Sequence, residues 1–158
     1  MIHLDRVAWR LVDALQRHGK QSAQQLADAV GMSVTPVWRR LKDLEQSGVV
    51  RGDVVLMDRE KLGLSVCVWA YVTLVRHEEQ ATEDFERLAA ACPEIMECAS
   101  ITGEADYVIK VVASDMKAYD RFLQDKLFKL KSISGVRSNV VLKEVKYETA
   151  LPLPPAAA

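Results

Sequence analysis

The stretch from Ser22 to Leu41 reads SAQQLADAVGMSVTPVWRRL and contains two helix patterns separated by a short turn. Ser22 and Gln25 have the spacing of a capping box, in which a serine and a later glutamine satisfy the first amides of a helix. Gly31 ends that helix, because glycine readily adopts the left-handed conformation found at helix ends. The next helix begins almost directly after this glycine. The stretch therefore predicts a helix, a tight turn and a second helix.

The second helix of this pair has an apolar side and a polar side. Four positions recur at the spacing of one helix face and predict the side that packs in a core: Val34, Val37, Leu41 and Leu44. Ser33 or Thr35 can cap the first amides, and Pro36 is tolerated in the first turn. Arg39 falls almost opposite the apolar stripe, where a guanidinium can pair with guanine in the major groove. Periodicity by itself leaves open whether this is a DNA-binding face or an ordinary solvated one.

Another helix and an extended segment flank this pair. Apolar residues recur at helical spacing before Ser22 and predict a helix over residues 5–18 that ends near Gly19: Leu4, Val7, Ala8, Leu11 and Leu15. Residues 49–58 are patterned like a strand that leaves the bundle, either as a linker or as a wing. Arg51 in this segment is either a contact to a backbone phosphate or an ordinary surface arginine.

The net charge of -1 conceals a difference between two parts of the chain. Residues 1–52 hold eight lysines and arginines against five acidic residues, whereas the remainder is acidic overall. A basic module joined to an acidic one indicates a polyanionic partner for the first part only. The charge pattern therefore agrees with DNA binding by the N-terminal helices without requiring it.

Composition narrows the class of protein. No stretch approaches the uncharged apolar length that a membrane span needs, and the first residues lack the basic-then-apolar order of a signal peptide. We therefore expect a soluble, cytoplasmic protein. Cys67, Cys92 and Cys98 form no CxxC pair, so they predict neither disulfides nor a zinc site and are interpreted as small buried apolar residues. No metal and no cofactor is expected.

The C-terminal two thirds alternate strand and helix patterns. Residues 65–75 are rich in β-branched and aromatic residues on both faces, which is typical of a central or interface strand. After it we predict a helix from Ala81 to a stop at Pro93, strands over 95–101 and 107–113 around a turn at 102–105, a helix from Met116 to Leu130, and a strand over 139–145. The order β-α-β-β-α-β predicts a ferredoxin-like fold, so the whole chain is predicted to be a two-domain α+β protein.

One face of this predicted sheet has no helix to cover it. Because strand 65–75 is apolar on both faces and no helices remain, we expect the open face to pack against another copy of the chain. Residues 151–158 have no core pattern and predict an extended tail. The run around His77 predicts a polar turn between strand and helix.

Two sets of motifs, in this order, resemble the Lrp/AsnC family, also called the leucine-responsive or feast/famine regulators. The first set consists of Leu4-Asp5-Arg6, the run from Leu26 to Glu45, and Gly48-Val49-Val50. The second consists of Leu62-Gly63, the run from Thr102 to Tyr107, and the run from Leu142 to Tyr147 that leads into residues 150–153. The resemblance covers nearly the whole chain, and the two sets together are more specific than either alone.

The resemblance implies a bacterial or archaeal transcriptional regulator that binds double-stranded DNA. It implies a winged helix-turn-helix at residues 1–52, a linker strand at 53–63, a ferredoxin-like effector-binding and oligomerisation domain at 64–150, and the tail at 151–158. It also implies homodimers that assemble further, often into octamers, with an amino acid bound between dimers. The predicted DNA contacts are Ser33, Thr35, Pro36, Trp38 and Arg39, joined by the cationic Lys42 and Arg51. The predicted effector site comprises Ser100, Thr102, Gly103, Asp106, Ser134 and Ser138.

The chemistry of a free amino acid agrees with the predicted effector site. Its ammonium group needs an acid, for which Asp106 is the candidate, and its carboxylate needs amides or hydroxyls. An ordinary hairpin turn explains Gly103 and Asp106 equally well. At residues 131–133 the sequence reads Lys-Ser-Ile where the family commonly has Pro-Gly-Val, which leaves the shape of the loop facing the effector open.

Three other functions remain open from the sequence. The same architecture is similar to sirohaem decarboxylases, but the chain has three histidines and no Cys/His cluster, phosphate loop or GxSxG elbow, so no enzyme is expected. A ligand-binding protein that has lost DNA binding would have an acidic recognition helix, whereas this one carries Arg39, Arg40 and Lys42. The third is an architectural DNA-binding protein that needs no effector.

Overall fold

The computed structural model describes residues 4–19, 21–75 and 79–154, which form two compact units. The helical unit runs up to Leu56 and also includes the chain from Val145 onward, whereas the sheet unit is Met57–Glu144. The segment from Val145 thus groups with the helices, which the sequence did not indicate. Within these described ranges, no helix is long and apolar enough to cross a membrane. The predicted turn around His77 lies outside them.

Three helices make up most of the helical unit: α1 Arg6–His18, α2 Ala23–Val30 and α3 Val34–Gln46. The predicted capping box is present, since Ser22 Oγ accepts from the Gln25 amide at 3.2 Å and Gln25 Oε1 accepts from the Ser22 amide at 2.9 Å. Gly31 ends α2 at a left-handed φ of 69°. The prediction of helix, tight turn and helix is therefore confirmed.

The core of the helical unit uses the faces that periodicity predicted. Leu11 of α1, Leu26 of α2 and Val37 of α3 are almost completely buried, and Leu44 joins them. Val34 and Leu41 of the predicted α3 stripe are half-buried against the same cluster. Because these side chains occupy one side of α3, the opposite side is left to solvent.

Two predictions about the borders of α3 need correction. Ser33 stands at the N-cap position but makes no side-chain hydrogen bond to the helix, and Thr35 lies inside the first turn. Residues 51–58 form no strand, because a strand requires a hydrogen-bonded neighbour and no described segment of this chain pairs with them. The segment is followed by a tight turn in which the Leu64 amide donates to the Arg59 carbonyl at 2.8 Å.

The sheet unit is a four-stranded antiparallel sheet with two helices. Its elements are β1 Val66–Leu74, α4 Glu79–Ala91, β2 Ile95–Ser100, β3 Tyr107–Ala113, α5 Met116–Asp125, a 3₁₀ turn Leu127–Lys129, and β4 Ile133–Val140. The strand order is β2-β3-β1-β4, so β1 is central, as its apolar sequence predicted. The predicted order β-α-β-β-α-β is confirmed.

The second half of this unit differs from the prediction in two places. The helix from Met116 ends at Asp125, and a 3₁₀ turn replaces its predicted last turn. The final strand is Ile133–Val140 rather than 139–145, because β1 pairs with it from Leu74↔Ile133 to Val68↔Val140. Of the more apolar run at 139–145, only Asn139 and Val140 belong to the strand, and residues 141–145 follow it without strand structure. The apolar pattern therefore predicted the wrong bounds for the last strand of the sheet.

The two faces of the sheet have different surroundings. Both helices pack on one face, where Phe85 of α4 and Phe122 of α5 meet Val68 and Ile109 of the strands. The opposite face, called here the open face, presents Trp69, Tyr71, Val108 and Lys110, all half-buried. Cys67 and Cys92 are buried as predicted, but Cys98 is exposed because it lies on the edge strand β2.

The chain that returns from the sheet unit is attached to α1. Gln16 Nε2 donates to the Leu151 carbonyl, and Gln16 Oε1 accepts from the Leu151 amide, both at 2.9 Å. Because both backbone groups of Leu151 are satisfied by one side chain, this contact imitates the pairing of adjacent strands. Leu151 is therefore anchored to the helical unit, and only 152–154 of the described residues continue as the predicted extended tail.

Candidate functional site

The outer face of α3 gathers most of the predicted DNA contacts. Trp38 is 60% exposed, and Arg39 and Lys42 are also exposed on this side of the helix. Lys42 Nζ lies 5.8 Å from the centre of the Trp38 ring, which is within the range of a cation–π contact. Thr35 is exposed in the first turn. The face therefore combines two cations, an indole and a hydroxyl on one side of α3.

The other predicted DNA contacts lie at the ends of α3 or beyond it. Ser33 is exposed at the N-cap position, and Pro36 is half-buried between the core side and the outer face. Arg51 is exposed in the extended segment that follows the helix. Ser33 therefore borders the outer face directly, whereas Arg51 lies outside any helix or strand.

Arg40 is separated from its two cationic neighbours on α3. Its Nη1 atom donates to Asp5 Oδ1 at 2.8 Å and lies 2.7 Å from Asp5 Oδ2. The same Asp5 Oδ1 accepts from the Ala8 amide at 2.8 Å and so caps α1. The Ala8 amide, and after it Arg40, hold the pKa of Asp5 below its ordinary value. The basic run of the sequence thus contains two cations on the outward face of α3, Arg39 and Lys42, and one cation, Arg40, that is paired with Asp5.

Arg10 of α1 likewise makes its hydrogen bonds within the helical unit. Its guanidinium donates to the Ala29 carbonyl at 2.8 Å and to the Val30 carbonyl at 3.2 Å. These are carbonyls of the last turn of α2, which lack partners within the helix. The contact of Arg10 with α2 and the pairing of Asp5 with Arg40 were not predicted from the sequence, because the partners lie far apart along the chain.

The predicted effector residue Asp106 is tied to the central strand. Its Oδ2 atom accepts from the Leu74 amide at 2.7 Å, and its own amide donates to the Val72 carbonyl at 3.0 Å. The Asp106 carbonyl accepts from the Ile101 amide across the turn. The side chain therefore closes the end of the sheet and has one further carboxylate oxygen, Oδ1.

Only some of the predicted effector residues come together. Ser134 Oγ donates to the Leu74 carbonyl at 3.2 Å and to the Thr73 carbonyl at 3.1 Å, so Ser134 and Asp106 meet at the end of β1. Ser138 is paired with Ala70, farther along the strand, and its hydroxyl lies 2.6 Å from that of Tyr119. Ser134 and Asp106 thus share one end of the sheet, whereas Ser138 does not reach it.

The turn between β2 and β3 is exposed and linked to β4. Thr102 and Gly103 are both exposed, and Gly103 has a φ of 119°, which favours glycine. Ser100 ends β2 opposite Tyr107. The adjacent Glu104 lies 3.3 Å from Arg137 of β4. The amides and hydroxyls of this turn therefore lie at the surface, close to a charged pair that the sequence did not indicate.

The departure at residues 131–133 produces an unusual buried group. Ser132 is 6% exposed, and its hydroxyl has no hydrogen-bond partner among the described residues. Its carbonyl accepts from the Val75 amide at 2.7 Å, just after the end of β1. The segment forms a tight turn into β4.

Comparison with known proteins gives a consistent result for both units. Residues 4–51 match the family described as winged helix-turn-helix DNA-binding, and residues 67–151 match the one described as the Lrp/AsnC ligand binding domain. The residues of the winged helix-turn-helix match include α1 to α3, and those of the ligand-binding match include all of the sheet except its first residue, Val66.

Two known regulators align with almost the whole of this chain. The DNA-binding transcriptional activator DecR of Escherichia coli is 34% identical over 150 residues, which cover 95% of this chain and 99% of the relative. The Bkd operon transcriptional regulator of Pseudomonas aeruginosa is 34% identical over 153 residues, covering 97% of this chain and 100% of the relative.

Two solved structures with similar folds were determined with an amino acid. A transcriptional regulator of Neisseria meningitidis in complex with L-methionine is 33% identical, with a TM-score of 0.91 and coverage of 95% of this chain and 97% of that one. The feast or famine regulatory protein of M. tuberculosis with L-methionine is 26% identical, with a TM-score of 0.84 and coverage of 96% and 100%.

Proposed function

Because this chain belongs to the Lrp/AsnC family of DNA-binding transcriptional regulators, we propose that it reads a specific duplex sequence through α3 and responds to a free amino acid. The response consists of a change in DNA affinity or in assembly when the amino acid binds the sheet unit. A regulator of this kind works where the chromosome is, so we assign it to the cytoplasm.

The outer face of α3 is the observation that carries the DNA half of the proposal. Trp38, Arg39 and Lys42 lie together on a helix that follows a tight turn, the geometry by which such helices enter the major groove. Arg39 is exposed, so its guanidinium can reach a guanine. Ser33, Thr35 and Arg51 would contact phosphates or thymine methyl groups around it, with Pro36 supporting the first turn.

The end of the sheet at Asp106 is the proposed amino-acid site. Asp106 Oδ1 would accept from the ligand ammonium, while the amides of Thr102 and Gly103 and the hydroxyl of Thr102 would bind its carboxylate. Ser100 and Ser134 lie at the same end and add hydroxyls. Ser138 is left out of the proposed site, because its hydroxyl is paired with Tyr119 farther along β4. The complexes of the two regulators with L-methionine support an amino acid as the ligand class.

A homodimer completes the proposal. Trp69, Tyr71 and Val108 give the open face of the sheet an apolar centre, and both helices of the sheet unit pack on the other side. A second copy of the chain would cover this face by a symmetric contact. Further assembly of dimers, as in an octamer, would bring several effector sites together.

The DNA half is tested by in vitro selection of duplexes from a random-sequence library, followed by gel-shift titration of the selected duplex. We expect Arg39→Ala to weaken binding by about 1–3 kcal/mol, the discrimination that one bidentate base contact supplies. Arg87→Ala, on the exposed side of α4, is the matched control and should bind like the parent. Equal affinity of Arg39→Ala and the parent would contradict the assignment of α3.

The effector half is tested by thermal-shift screening against the twenty amino acids, beginning with L-methionine. A ligand that binds only the folded state raises the melting temperature. A hit should also change the gel-shift midpoint for the selected duplex. If no amino acid raises the melting temperature, the effector half is wrong and an effector-independent architectural regulator remains.

A further inference from the structure

We infer that Asp5 and Arg40 are positioning residues for DNA recognition, because their ion pair holds α3 against α1 and so orients the outer face of α3. The inference rests on the proposed DNA binding by this helix. It assigns Arg40 a different part from Arg39 and Lys42, although all three belong to one basic run of the sequence.

The geometry of the pair favours a fixed orientation. Asp5 engages Arg40 through both carboxylate oxygens, at 2.8 and 2.7 Å, while Oδ1 also accepts from the Ala8 amide. The carboxylate that begins α1 is thus the one that binds α3. Any rotation of α3 that moved Arg40 away would break the pair or uncap α1.

The rest of the bundle explains why this pair matters for α3 in particular. α1 contacts α2 and α2 contacts α3 extensively, whereas α1 contacts α3 much less. Arg10 already fastens α1 to the last carbonyls of α2. The Asp5–Arg40 pair therefore adds a direct polar link between the start of α1 and α3 to the apolar contacts that the two helices share in the core.

The exposure of the pair makes the inference testable. The side chains of Asp5 and Arg40 remain 52% and 34% exposed, and ion pairs this accessible contribute little to the free energy of unfolding. Asp5→Asn keeps a good N-cap residue, so α1 still begins at the same place. Single substitutions should therefore leave the protein folded and reveal an effect on orientation.

Substitutions that change the charge in opposite directions distinguish a positioning role of the pair from direct contact between Arg40 and DNA. Arg40→Gln removes a positive charge and Asp5→Asn removes a negative one. If Arg40 bound a phosphate directly, Arg40→Gln would weaken DNA binding, whereas Asp5→Asn would strengthen it by freeing the guanidinium. If the pair positions α3, both substitutions weaken specific binding, because both remove the same contact.

The experiment measures the affinity of the full-length protein for the selected duplex and for a random-sequence duplex, with thermal melts in parallel. We expect Asp5→Asn and Arg40→Gln each to lower specific affinity about tenfold, with little change for the random duplex. The double variant should be no weaker than the weaker single variant, since one contact is lost in all three. Arg40→Lys should fall between the parent and Arg40→Gln.

Asp13→Asn and Arg17→Gln provide the matched control, because they break another exposed ion pair of 2.7 Å within α1 alone. These variants should keep the ratio of specific to random affinity of the parent. Opposite changes for Asp5→Asn and Arg40→Gln, or unchanged specific affinity for both, would overturn the positioning role. A parent that enriches no sequence at all would instead overturn the proposed function, and with it this inference.

Discussion

At the scale of single residues, Asp106 combines a structural and a proposed binding role in one carboxylate. Oδ2 accepts from the Leu74 amide at 2.7 Å, where β1 ends and Leu74 itself is buried. The other oxygen is the one that the proposed ligand ammonium would meet. Removing the side chain therefore affects both the contact with the Leu74 amide and the proposed contact with the ligand ammonium. A variant that changes only the second contact is needed.

Asp106→Ala should lower the free energy of unfolding by about 1–3 kcal/mol, because the Leu74 amide loses its partner. Asp106→Asn keeps an oxygen acceptor for that amide and should unfold like the parent in urea. Both variants should lose the thermal shift that the best amino-acid ligand gives the parent. Retention of that shift by Asp106→Asn would show that the carboxylate does not bind the ammonium.

We predict that titration of Tyr107 lowers the free energy of unfolding at high pH. Its burial, and after it a 2.7 Å hydrogen bond to Glu86, raise the pKa of Tyr107 from 10.0 to about 12. Since the folded-state pKa is the higher one, the protonated phenol stabilises the fold fully below pH 10, and this stability is lost as pH rises towards 12.

Tyr107→Phe removes the titrating group but keeps the ring that packs 4.7 Å from Phe85. We therefore expect the parent to lose stability relative to Tyr107→Phe between pH 10 and about 12, as measured by urea denaturation at each pH. Parallel stability curves over this range would mean that the phenol titrates normally in the fold.

At the scale of elements, the turn between α2 and α3 depends on the backbone of one glycine. Gly31 has a φ of 69°, and its amide donates to the Asp28 carbonyl at 3.3 Å. The following Met32 amide donates to the Ala27 carbonyl at 3.0 Å, which completes the end of α2. This conformation directs the chain into α3 at once.

Gly31→Ala should lower the free energy of unfolding by roughly 1–2 kcal/mol, because a side chain is strained in the left-handed conformation. No atom lies close to the position of an added Cβ, so the strain comes from the backbone alone. Gly135→Ala is the matched control, since that glycine has the same open surroundings but no positive φ. Equal destabilisation of the two variants would contradict this explanation.

Most elements could be predicted because their signals are local. The capping box at Ser22, the stop at Gly31 and the alternation through β3 each depend on residues within one turn or one strand. The edge strand β4 could not be predicted in this way, since Ser134, Gly135 and Arg137 make it less apolar than the run that follows. Its pairing with β1 decided which segment became the strand.

At the scale of the whole molecule, the open face of the sheet presents aromatic and apolar side chains that no described helix of the sheet unit covers. Lys110 and Arg137 lie over the rings of Trp69 and Tyr71 at 5.5 and 5.0 Å, so cations border an aromatic centre. Val108 lies opposite Tyr71 in the register of β1 and β3. A second copy would bury this centre and keep the charged groups at its rim.

Val108→Asp should therefore shift the protein from dimers or larger assemblies towards monomers in sedimentation velocity. A carboxylate buried in an apolar interface without a partner is strongly unfavourable. Lys117→Asp, on the exposed side of α5, is the control and should keep the parent's assembly. An unchanged distribution for Val108→Asp in a folded protein would exclude the open face as the self-association surface.

Some residues of the candidate sites could be predicted from local patterns, whereas the positions of others depend on contacts far along the chain. Arg39 was predicted to face outward from periodicity alone, and it does. Ser134 and Asp106 were predicted to border one site by resemblance, and the structure brings both to Leu74. Ser138 was predicted to join them, but the register of β4 carries it away to Tyr119.

The sequence by itself determined the helix-turn-helix, the order of the elements and the outward side of α3, because capping, glycine conformation and periodicity act between near neighbours. Only the tertiary structure decided that Arg40 binds Asp5, that Gln16 holds Leu151 and that Ile133–Val140 completes the sheet. These outcomes join residues far apart in the chain, and the partner that a side chain or strand finds depends on the packing of the whole unit.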